Sequence, residues 1–446
     1  MTDALTLKST PQGFDPKSPP DPSLIDACVH CGFCLTTCPS YRVLGTEMDS
    51  PRGRIYLMDA VNEGQIDLAG TTAQHFDTCL GCLACVSACP SGVRYDRLID
   101  ATRSQVARNQ PRSWGDRLIR RLIFSLFPYP QRLRALLVPL FLYQRVGLQS
   151  LVRATPWLRQ ISPQLAAMDM LLPAVPTSAF RPPEPTRVPA RGETRYRVGL
   201  ILGCVQRLFF SEVNDATVRV LTANGCEVYI PDSQGCCAAL PQHQGETQQA
   251  QTLAKRMIDS FAPLDLDAII INAAGCGHTL KEYGHILQDD PSYRQRAAEF
   301  ASKVRDVQEF LASIRLTAPL HPLQPEPLTV VYQDACHLLH GQNISLPPRQ
   351  LLRQIPGVEL KEPTDAALCC GSAGVYNLLQ PEVAAELGQR KVENLLNTGA
   401  AVIASPNPGC ALQIRQHLRL RHSVVPVLHP MTLLDCAIHG KSIPDP

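Results

Sequence analysis

The sequence predicts a mixed α/β protein in which a mainly helical N-terminal domain precedes a duplicated α/β unit. Three observations support this fold class. Two tight groups of four cysteines flank a helical pattern before residue 110, cysteine landmarks after residue 194 recur at a nearly constant offset, and proline-rich stretches separate these regions. Proline resists the interior of helices and sheets, so such stretches are typical of tails and linkers.

The amino-acid composition argues against several classes of protein. The chain has 446 residues, of which 42 are Lys or Arg and 40 are Asp or Glu, and it contains 18 cysteines. A net charge of +2 argues against a nucleic-acid binder, whose domain is usually strongly basic. The first residues contain no apolar segment of the kind that directs secretion, so we expect a cytoplasmic protein with reduced thiols. The longest apolar run, residues 135–143, is far below the roughly 20 residues that span a bilayer.

Five segments are expected along the chain. They are a disordered tail over residues 1–22, an N-terminal domain over 23–110, a helical connector with a proline-rich linker over 111–193, and two repeats over 194–318 and 328–446. Within the N-terminal domain, Ser50 and Pro51 have the character of a cap and first residue of a helix that ends before Gly64.

The connector is strongly basic. Residues 112–159 hold nine arginines and one acidic residue, and Leu118, Leu122, Ile123 and Leu126 recur at helical spacing. This pattern predicts one or two basic amphipathic helices. Two interpretations stay open: attachment to an anionic membrane surface or a partner groove, and a connector packed on its own protein with arginines facing solvent.

The C-terminal part is an internal duplication. Its corresponding cysteines are separated by 132, 133 and 134 residues, and they are Cys204 and Cys336, Cys236-Cys237 and Cys369-Cys370, and Cys276 and Cys410. Each half alternates apolar strands with a helix, over residues 247–261 and 381–397. Alternation of this kind predicts a mostly parallel sheet whose ligand loops follow the carboxyl ends of its strands.

The N-terminal cysteines carry the strongest chemical signal. The spacing C-x2-C-x2-C-x3-C-P occurs twice, at Cys28, Cys31, Cys34 and Cys38, and at Cys79, Cys82, Cys85 and Cys89. In two-cluster ferredoxins this spacing places three thiolates on one cubane and the fourth on the other. We therefore predict one [4Fe-4S] cluster on Cys28, Cys31, Cys34 and Cys89, and a second on Cys79, Cys82, Cys85 and Cys38. Two close clusters are most simply an electron wire. Structural zinc normally needs well-separated cysteine pairs, and disulfides do not suit a reducing compartment.

The duplicated cysteines form a second candidate set of cofactor ligands. Vicinal cysteines are awkward for a disulfide within one chain, but they can bring two thiolates to one metal cluster. Gly235 before the first pair and Gly371 after the second would allow tight turns. The remaining Cys226 and Cys436 lie in apolar settings and are expected to be core thiols.

Several segments carry a resemblance to a known family. Each half resembles the CCG, or cysteine-rich, domains of heterodisulfide reductase subunits. Nearly all of the chain from residue 23 resembles the iron-sulfur subunits of bacterial glycolate oxidase, through the segments CVHCGFC, PRGRIYL, CPSGVRY, KEYG, CCGSAG and NPGC. These motifs are shared with lactate-oxidising and anaerobic glycerol-3-phosphate systems.

Two departures limit what the resemblance implies. Ala238 stands where the family has glycine, so we expect that turn to be made differently. Ala273 and Asn407 replace the first cysteine of the final C-x-x-C, which leaves four cysteines in each half where relatives with a noncubane cluster use five. A noncubane cluster, a simpler cluster, zinc and no metal all stay open for the CCG halves.

The resemblance implies an electron-transfer subunit of a glycolate dehydrogenase. FAD would lie on a partner dehydrogenase subunit that oxidises glycolate to glyoxylate, and electrons would pass toward the quinone pool, with peripheral contact at the cytoplasmic face of the inner membrane. No catalytic acid or base is expected here, because no nucleotide loop, Walker A motif or triad pattern occurs. The alternatives are a lactate or anaerobic glycerol-3-phosphate dehydrogenase subunit, a thiol or disulfide reductase, and a sensor module. Arg52 and Arg54 are candidates to bias a cluster, or else solvated residues of a first helical turn.

Overall fold

The computed structural model describes residues 13–155, 169, 170, 172, 175 and 186–444. Two compact units are present. The first extends to Leu118 and includes His243–Thr247, and the second contains Ile119–Gln242 and the chain from Gln248 onward.

The N-terminal domain is helical, as the sequence predicts. Its helices are α1 (Pro22–Asp26), α2 (Pro39–Leu44), α3 (Pro51–Asn62), α4 (Thr71–Asp77), α5 (Ala84–Ala88) and α6 (Tyr95–Asn109), with a 3-10 turn at Glu47–Asp49. The Ser50 hydroxyl accepts a hydrogen bond from the Gly53 amide at 2.9 Å, so helix α3 begins where the capping pattern places it. Met58, Val61 and Phe76 are fully buried in the core of this domain.

Part of the expected tail is tied to the domain. Arg108 donates to the Asp15 carboxylate at 3.0 Å, and the Asp15 amide donates to Gln105 at 3.0 Å. Residues 13–21 are therefore in contact with helix α6, and residues 1–12 lie outside the described residues.

The connector forms helices α7 (Trp114–Leu126), α8 (Pro130–Arg145) and α9 (Leu148–Ala154). Within the described ranges, no helix is by itself both long and apolar enough to cross a membrane. Helices α8 and α9 meet that test of length and composition only as a pair, and the pair is bent by 68°. Most of the expected proline-rich linker between residues 173 and 189 lies outside the described part of the chain.

The strands of the second unit form two sheets with one topology. They are β1 (Arg187–Val188), β2 (Tyr196–Ile201), β3 (Cys226–Tyr229), β4 (Ala268–Ile271), β5 (Val304–Asp306), β6 (Leu328–Tyr332), β7 (Val358–Lys361), β8 (Val402–Ala404) and β9 (Val427–Leu428). The first sheet has the order β1-β3-β2-β4-β5 and the second has the order β7-β6-β8-β9. Apart from the antiparallel edge strand β1, every pair is parallel, and the order of the four parallel strands is the same in both repeats. The predicted α/β duplication is confirmed.

Helices cover both sheets. In the first repeat they are α10 (Gln206–Phe209), α11 (Ser211–Ala223), α12 (Ala239–Gln242), α13 (Thr247–Phe261), α14 (Ala274–Lys281), α15 (Tyr283–Ile286), α16 (Arg294–Lys303) and α17 (Val307–Ser313). In the second they are α18 (Cys336–Leu339), α19 (Leu346–Arg353), α20 (Tyr376–Leu379), α21 (Pro381–Leu396), α22 (Pro408–Leu420) and α23 (Pro430–His439).

The two repeats share one hydrophobic core. Val198 and Ile270 of the first sheet belong to the same buried cluster as Val330 and Val402 of the second. Cys226 and Cys436 are also in this cluster, so the prediction that they are core thiols is confirmed. Because strands of both sheets contribute to it, the repeats are packed as one body.

Candidate iron-sulfur sites

The first thiol set, which we call site A, lines a small cavity in the N-terminal domain. Its cysteines are Cys28, Cys31, Cys34 and Cys89. Three of them lie on the loop between α1 and α2, and Cys89 comes from the end of α5. The loop therefore supplies three thiols and the second motif supplies the fourth, as the crossed pattern predicts.

The second set, site B, lines a neighbouring cavity of the same domain. Its cysteines are Cys79, Cys82, Cys85 and Cys38, and Cys85 also reaches the wall of site A. The structure thus brings together the two crossed sets that the sequence predicts. That each set ligates iron stays a prediction.

The two motif loops share an unusual backbone conformation. The third and fifth positions of each C-x2-C-x2-C segment have positive φ, at His30 (53°) and Gly32 (85°) in the first motif and at Gly81 (63°) and Leu83 (64°) in the second. Side chains rarely adopt this region, and only glycine does so without strain. Each loop therefore contains one strained non-glycine residue, which is typical of backbones held in place to present ligands.

Site A is open and site B is closed. Cys31 is exposed, and the neighbouring Val29 and Phe33 are 67% and 66% exposed. All four thiols of site B are buried. A cluster at site A would therefore be accessible to a partner, whereas one at site B would be sheltered from solvent.

Two buried arginines lie beside site B. The Arg54 side chain is fully buried and donates to the carbonyl of His75 at 2.6 Å and to the hydroxyls of Ser40 and Thr78 at 3.0 and 2.9 Å. Arg103, which is 6% exposed, donates to the carbonyl of Cys79. The suggestion that Arg54 is a solvated first-turn residue is therefore wrong.

These cations act on the thiol nearest to them. Burial alone would raise the pKa of the Cys79 thiol, but Arg54 and Arg103 lower it below its ordinary value. The Gly81 amide donates to Cys79 Sγ at 3.4 Å and adds to this effect. At site A, by contrast, burial raises the pKa of Cys34 to about 11.

The first repeat gathers its four cysteines into site C. Their sulfurs are in contact in the order Cys204, Cys236, Cys237, Cys276. The Tyr283 hydroxyl donates to the carbonyl of Cys237 at 3.0 Å and fixes the vicinal pair. Contact with Cys204 lowers the pKa of Cys236, but contact with Cys237 and burial outweigh it and keep that pKa well above its ordinary value.

The second repeat gathers Cys336, Cys369, Cys370 and Cys410 into site D. Cys369 contacts both Cys336 and Cys370, and Cys370 contacts Cys410. Contacts with Cys369 and Cys410, with Lys391 nearby, hold the pKa of Cys370 well below its ordinary value.

Two polar residues support site D. Asn407 Nδ2 donates to Cys410 Sγ at 3.4 Å, and its Oδ1 accepts from the Gly275 amide of the first repeat at 3.2 Å. Lys391 is buried and donates to the carbonyl of Ala366 at 2.7 Å. Asn407, at the position of the missing family cysteine, therefore links site D to the residue before Cys276.

The turn after each vicinal pair corrects one expectation. Ala238 has φ of 68° and Gly371 has φ of 85°, so both repeats make the same left-handed turn. The expectation that Ala238 requires a different turn is wrong. Gly235 has no positive φ and open space around its Cα, so the expected role for it is not seen. At Gly371 a Cβ would lie 2.5 Å from the Ala384 carbonyl oxygen, so close approach makes glycine necessary there.

Two charged residues at these sites were missed by the sequence interpretation. Lys391 lies between Leu387 and Leu395 on the apolar face of its helix. A single charged residue on such a face predicts a buried charge, so this one could have been found from the sequence. Arg103 has no such signal, because the residues beside it on α6 are mostly polar. Among the described residues, no group of three or more His, Cys, Asp or Glu side chains has the geometry to hold a single metal ion.

The donor set and the fold together define a class of protein. Two crossed sets of four thiols, strained loops that present them, and an amide donor to sulfur fit iron-sulfur clusters, whose ligands are cysteine thiolates. Profiles of known families agree: residues 24–93 match the 4Fe-4S dicluster domain, and residues 198–281 and 330–415 match the cysteine-rich domain. This is an iron-sulfur protein with a dicluster domain and two CCG domains.

Sequence comparison identifies the family. Residues 115–172 match the linker region of the glycolate oxidase iron-sulfur subunit. A probable glycolate oxidase iron-sulfur subunit from Bacillus subtilis (strain 168) is 41% identical over 87% of this chain and 88% of its own length. The glycolate oxidase iron-sulfur subunit from Escherichia coli (strain K12) is 34% identical over 87% and 89%. The chain belongs to the family of glycolate oxidase iron-sulfur subunits.

More distant similarity is shorter or structural. Lactate utilization protein A from Exiguobacterium sp. is 28% identical, over 53% of this chain and 96% of its own length. A crystal structure of a hypothetical protein from Helicobacter pylori superposes with a TM-score of 0.51 at 8% identity, over 87% of this chain and 68% of that one. The latter supports the fold alone.

Proposed function

We propose that this chain is the electron-transfer subunit of a glycolate dehydrogenase complex. A partner subunit that carries FAD would oxidise glycolate to glyoxylate, and this chain would pass the two electrons onward, one at a time, toward the quinone pool. The observation that carries the proposal is the pair of crossed thiol sets in one small domain, in a chain 41% and 34% identical to glycolate oxidase iron-sulfur subunits.

The residues of the chain would divide this work. Cys28, Cys31, Cys34 and Cys89 would hold one [4Fe-4S] cluster, and Cys79, Cys82, Cys85 and Cys38 the other. Such clusters supply one-electron transfer at potentials set by charge, hydrogen bonds and burial. The protein shelters site B, presents site A at the surface, and fixes the loops through their left-handed residues.

The exposed rim of site A fits an electron-transfer contact. Cys31, Val29 and Phe33 are exposed side by side on one loop, and Arg52, which donates to the His30 carbonyl at 3.0 Å, supports that loop. An apolar rim excludes water when a partner docks, as the cores of protein interfaces do. We assign this rim to the flavoprotein.

Sites C and D would hold a terminal centre or complete the docking surface. Their contacting sulfurs suit a noncubane or simpler iron-sulfur cluster, and zinc stays open as the alternative. Each repeat supplies four cysteines, so any cluster with more ligand positions would need a ligand from outside the cysteine set.

The basic connector fits a site of peripheral contact with the cytoplasmic face of the inner membrane. Ala135, Val138, Pro139 and Leu142 on α8, and Val146 directly after it, recur at helical spacing and are all exposed. The arginines at positions 132, 134 and 145 flank this apolar stripe. An apolar stripe bordered by cations is typical of helices that lie in the interface of an anionic bilayer. The opposite face of α8 packs on the same chain, because Leu133 and Leu137 are buried in one cluster with Leu208. The connector is therefore packed on its own protein on one side, and the exposed stripe on the other side is free to contact a membrane.

The test is anaerobic co-purification from the native host, followed by iron and sulfide counting and by dye reduction with glycolate, lactate and glycerol 3-phosphate. We expect a flavoprotein in the complex, at least eight iron and eight sulfide per chain, and glycolate as the best reductant. Cys31→Ser should lower the iron content, whereas Cys226→Ala, which removes a core thiol outside the four sites, should not. Recovery without a flavoprotein, or a complex that prefers lactate, contradicts the proposal.

A second function is favoured by one observation at site D. Contacts with Cys369 and Cys410 lower the pKa of Cys370 and give thiolate character to this one member of the vicinal pair, whereas contacts with Cys336 and Cys370 raise the pKa of Cys369. Thiolates are the reactive form of cysteine in disulfide chemistry, so a thiol or disulfide reductase is the alternative. That reaction needs two electrons and two protons for each disulfide. Anaerobic assay of the purified complex with a disulfide acceptor separates the two functions, because the electron-transfer subunit should show no turnover.

A further inference from the structure

The cations of the two N-terminal sites differ in number and in surroundings. At site A, Arg52 is neutralised by Glu47, with Nε donating to Oε1 at 2.8 Å, and both side chains are about one third exposed. At site B, Arg54 and Arg103 are both buried, and the carboxylate near Arg54 is Asp49, whose Oδ1 lies 3.5 Å from Arg54 Nη2. Site B therefore has an excess of buried positive charge, and site A does not.

Asp49 does not cancel this excess. Its carboxylate accepts hydrogen bonds from the Thr78 hydroxyl at 2.6 Å and from Thr46, and it lies 3.0 Å from His75 Nδ1. One carboxylate is thus shared among several donors, while two guanidinium groups lie next to the thiol set. Burial also keeps these charges from being screened by salt.

We propose that Arg54, assisted by Arg103, raises the reduction potential of the cluster at site B and has no such effect on the cluster at site A. This inference rests on the proposed presence of clusters at both sites. A cluster at site B that received one electron from the flavoprotein by way of site A would become more negative by one unit of charge, and no bond would form or break. Nearby positive charge stabilises that added charge, and buried charge does so more strongly than exposed charge.

Arg54 acts here as a positioning and tuning residue, because its hydrogen bonds go to Ser40, His75 and Thr78 and none goes to a sulfur atom. Its bonds to His75 and Thr78 join helix α3 to the end of helix α4, directly before Cys79. The chain also offers a matched control two residues away, because Arg52 is on the same helix but lies at site A.

The test is a redox titration of the anaerobically purified complex, followed by electron paramagnetic resonance of the two cluster signals. Arg54→Gln should lower the midpoint potential of one signal and leave the other unchanged. Arg54→Lys, which keeps the charge, should restore most of the potential. Arg52→Gln should not shift the signal that responds to Arg54, because Arg52 is paired, partly exposed and at the other site.

Two more variants distinguish an electrostatic effect on the midpoint potential from structural damage at site B. Arg103→Gln should move the same signal in the same direction, while the Arg54 contacts remain intact. Asp49→Asn removes a negative charge and should move that signal to higher potential, opposite to the shift in the arginine variants. Structural damage would not produce shifts of opposite direction. The inference is overturned if Arg54→Gln shifts both signals alike, if Lys behaves as Gln, or if Arg103→Gln with full iron content shifts neither.

Iron and sulfide counts keep this failure distinct from failure of the proposed function. Wild-type protein without two cluster signals contradicts the proposed clusters themselves. Wild-type protein with two signals that ignore the charge changes contradicts only the tuning by Arg54.

Discussion

His429 is a buried histidine that joins the two repeats. Its Nε2 lies 2.9 Å from the carbonyl oxygen of Asn272 in the first repeat, and its Nδ1 accepts a hydrogen bond from the Met431 amide at 3.1 Å. The neutral ring with a proton on Nε2 satisfies both contacts and caps helix α23. Burial lowers the pKa of His429 to about 4, although the carbonyls of Asn272 and Pro406 oppose the shift.

This residue predicts a stability that depends on pH. Between its ordinary pKa of 6.5 and the folded value of about 4, the unfolded chain binds a proton that the folded chain does not. The contribution of neutral His429 to the free energy of unfolding is therefore fully present above pH 6.5. It decreases as the pH falls toward 4, by about 3 kcal/mol at most. Urea unfolding followed between pH 7 and 4 should show a shallower loss for His429→Asn than for wild type. The exposed His422→Asn should keep the wild-type slope, and an unchanged slope for His429→Asn would contradict the assignment.

Ala238 and Gly371 show how much of the turn after each vicinal cysteine pair a local sequence pattern predicts. The family pattern favours glycine after the vicinal pair, and both residues do adopt the left-handed conformation that glycine favours. Only at Gly371 does a neighbouring backbone also approach too closely for a Cβ. The sequence pattern predicts the turn in both repeats. Helix α21 packs against the turn of the second repeat and excludes a Cβ there, whereas the first repeat accommodates alanine.

Helix α3 is fixed at its start by a glycine with no room for a side chain. A Cβ on Gly53 would lie 2.0 Å from the Glu47 carbonyl oxygen, in the 3-10 turn that precedes the helix. This close approach sets the positions of Arg52 and Arg54, which flank Gly53 in the sequence.

Gly53→Ala should therefore reverse the usual effect of alanine in a helix. Alanine normally stabilises a helix interior by about 1 kcal/mol over glycine, but here it should cost about 2 kcal/mol or more, because backbone has to move. Thermal unfolding of the anaerobic protein measures the change. Gly115→Ala in helix α7, where nothing lies within 4 Å of the new Cβ, should be neutral or stabilising. Equal effects of the two substitutions would show that the contact at Gly53 is unimportant.

The connector helices predict binding to lipid. We expect sedimentation of the complex with phosphatidylglycerol vesicles at low salt, little with phosphatidylcholine alone, and loss of binding as salt increases. Val138→Glu with Leu142→Glu should weaken this binding at least several-fold, because both residues are exposed on the apolar stripe.

The control for lipid binding is an apolar residue elsewhere that is even more exposed than Val138 and Leu142. Val424 is 78% exposed in the second repeat, and Val424→Glu should bind vesicles as wild type does. Full vesicle binding by the double variant, combined with loss of the flavoprotein on purification, would assign the stripe to the partner subunit instead.

The whole molecule depends on the packing of one repeat against the other. Arg219 of helix α11 donates twice to the buried carboxylate of Asp435 on helix α23, with both distances at 2.8 Å. These helices come from different repeats, so this ion pair joins the two halves across their shared core.

Breaking this pair from one side should be costly. Arg219→Ala leaves the Asp435 carboxylate buried with fewer donors, and we expect a loss of about 2 kcal/mol in the free energy of unfolding, because the arginine itself is partly exposed. Chemical denaturation of the single and double variants in a mutant cycle measures the coupling. Arg390→Ala, which breaks an exposed pair with Glu386, should cost about 0.5 kcal/mol or less. Additive effects at Arg219 and Asp435 would contradict the coupling.

Much of the architecture follows from local sequence patterns. The apolar runs that form β4 and β8 are buried parallel strands, so their composition alone identifies them, and the constant offset between repeats predicts two sheets of one order. The crossed grouping of the eight N-terminal thiols follows from cysteine spacing.

The charges around these thiols do not follow from spacing. Arg54, Arg103 and Lys391 matter because of what surrounds them in three dimensions, and no local pattern sets their burial. The relation between neighbouring repeats is equally hidden, since Asn407 and Gly275 meet only through tertiary packing.

The exchange of one thiol between the two N-terminal loops has a consequence for maturation. Cys89 completes the cavity of the first loop and Cys38 completes that of the second, so neither loop has four ligands without the other. Neither cavity can therefore form until both loops have folded, in contrast to two independent modules. A substitution that unfolds one loop should remove a ligand from the proposed cluster of the other, and iron should be lost from both centres.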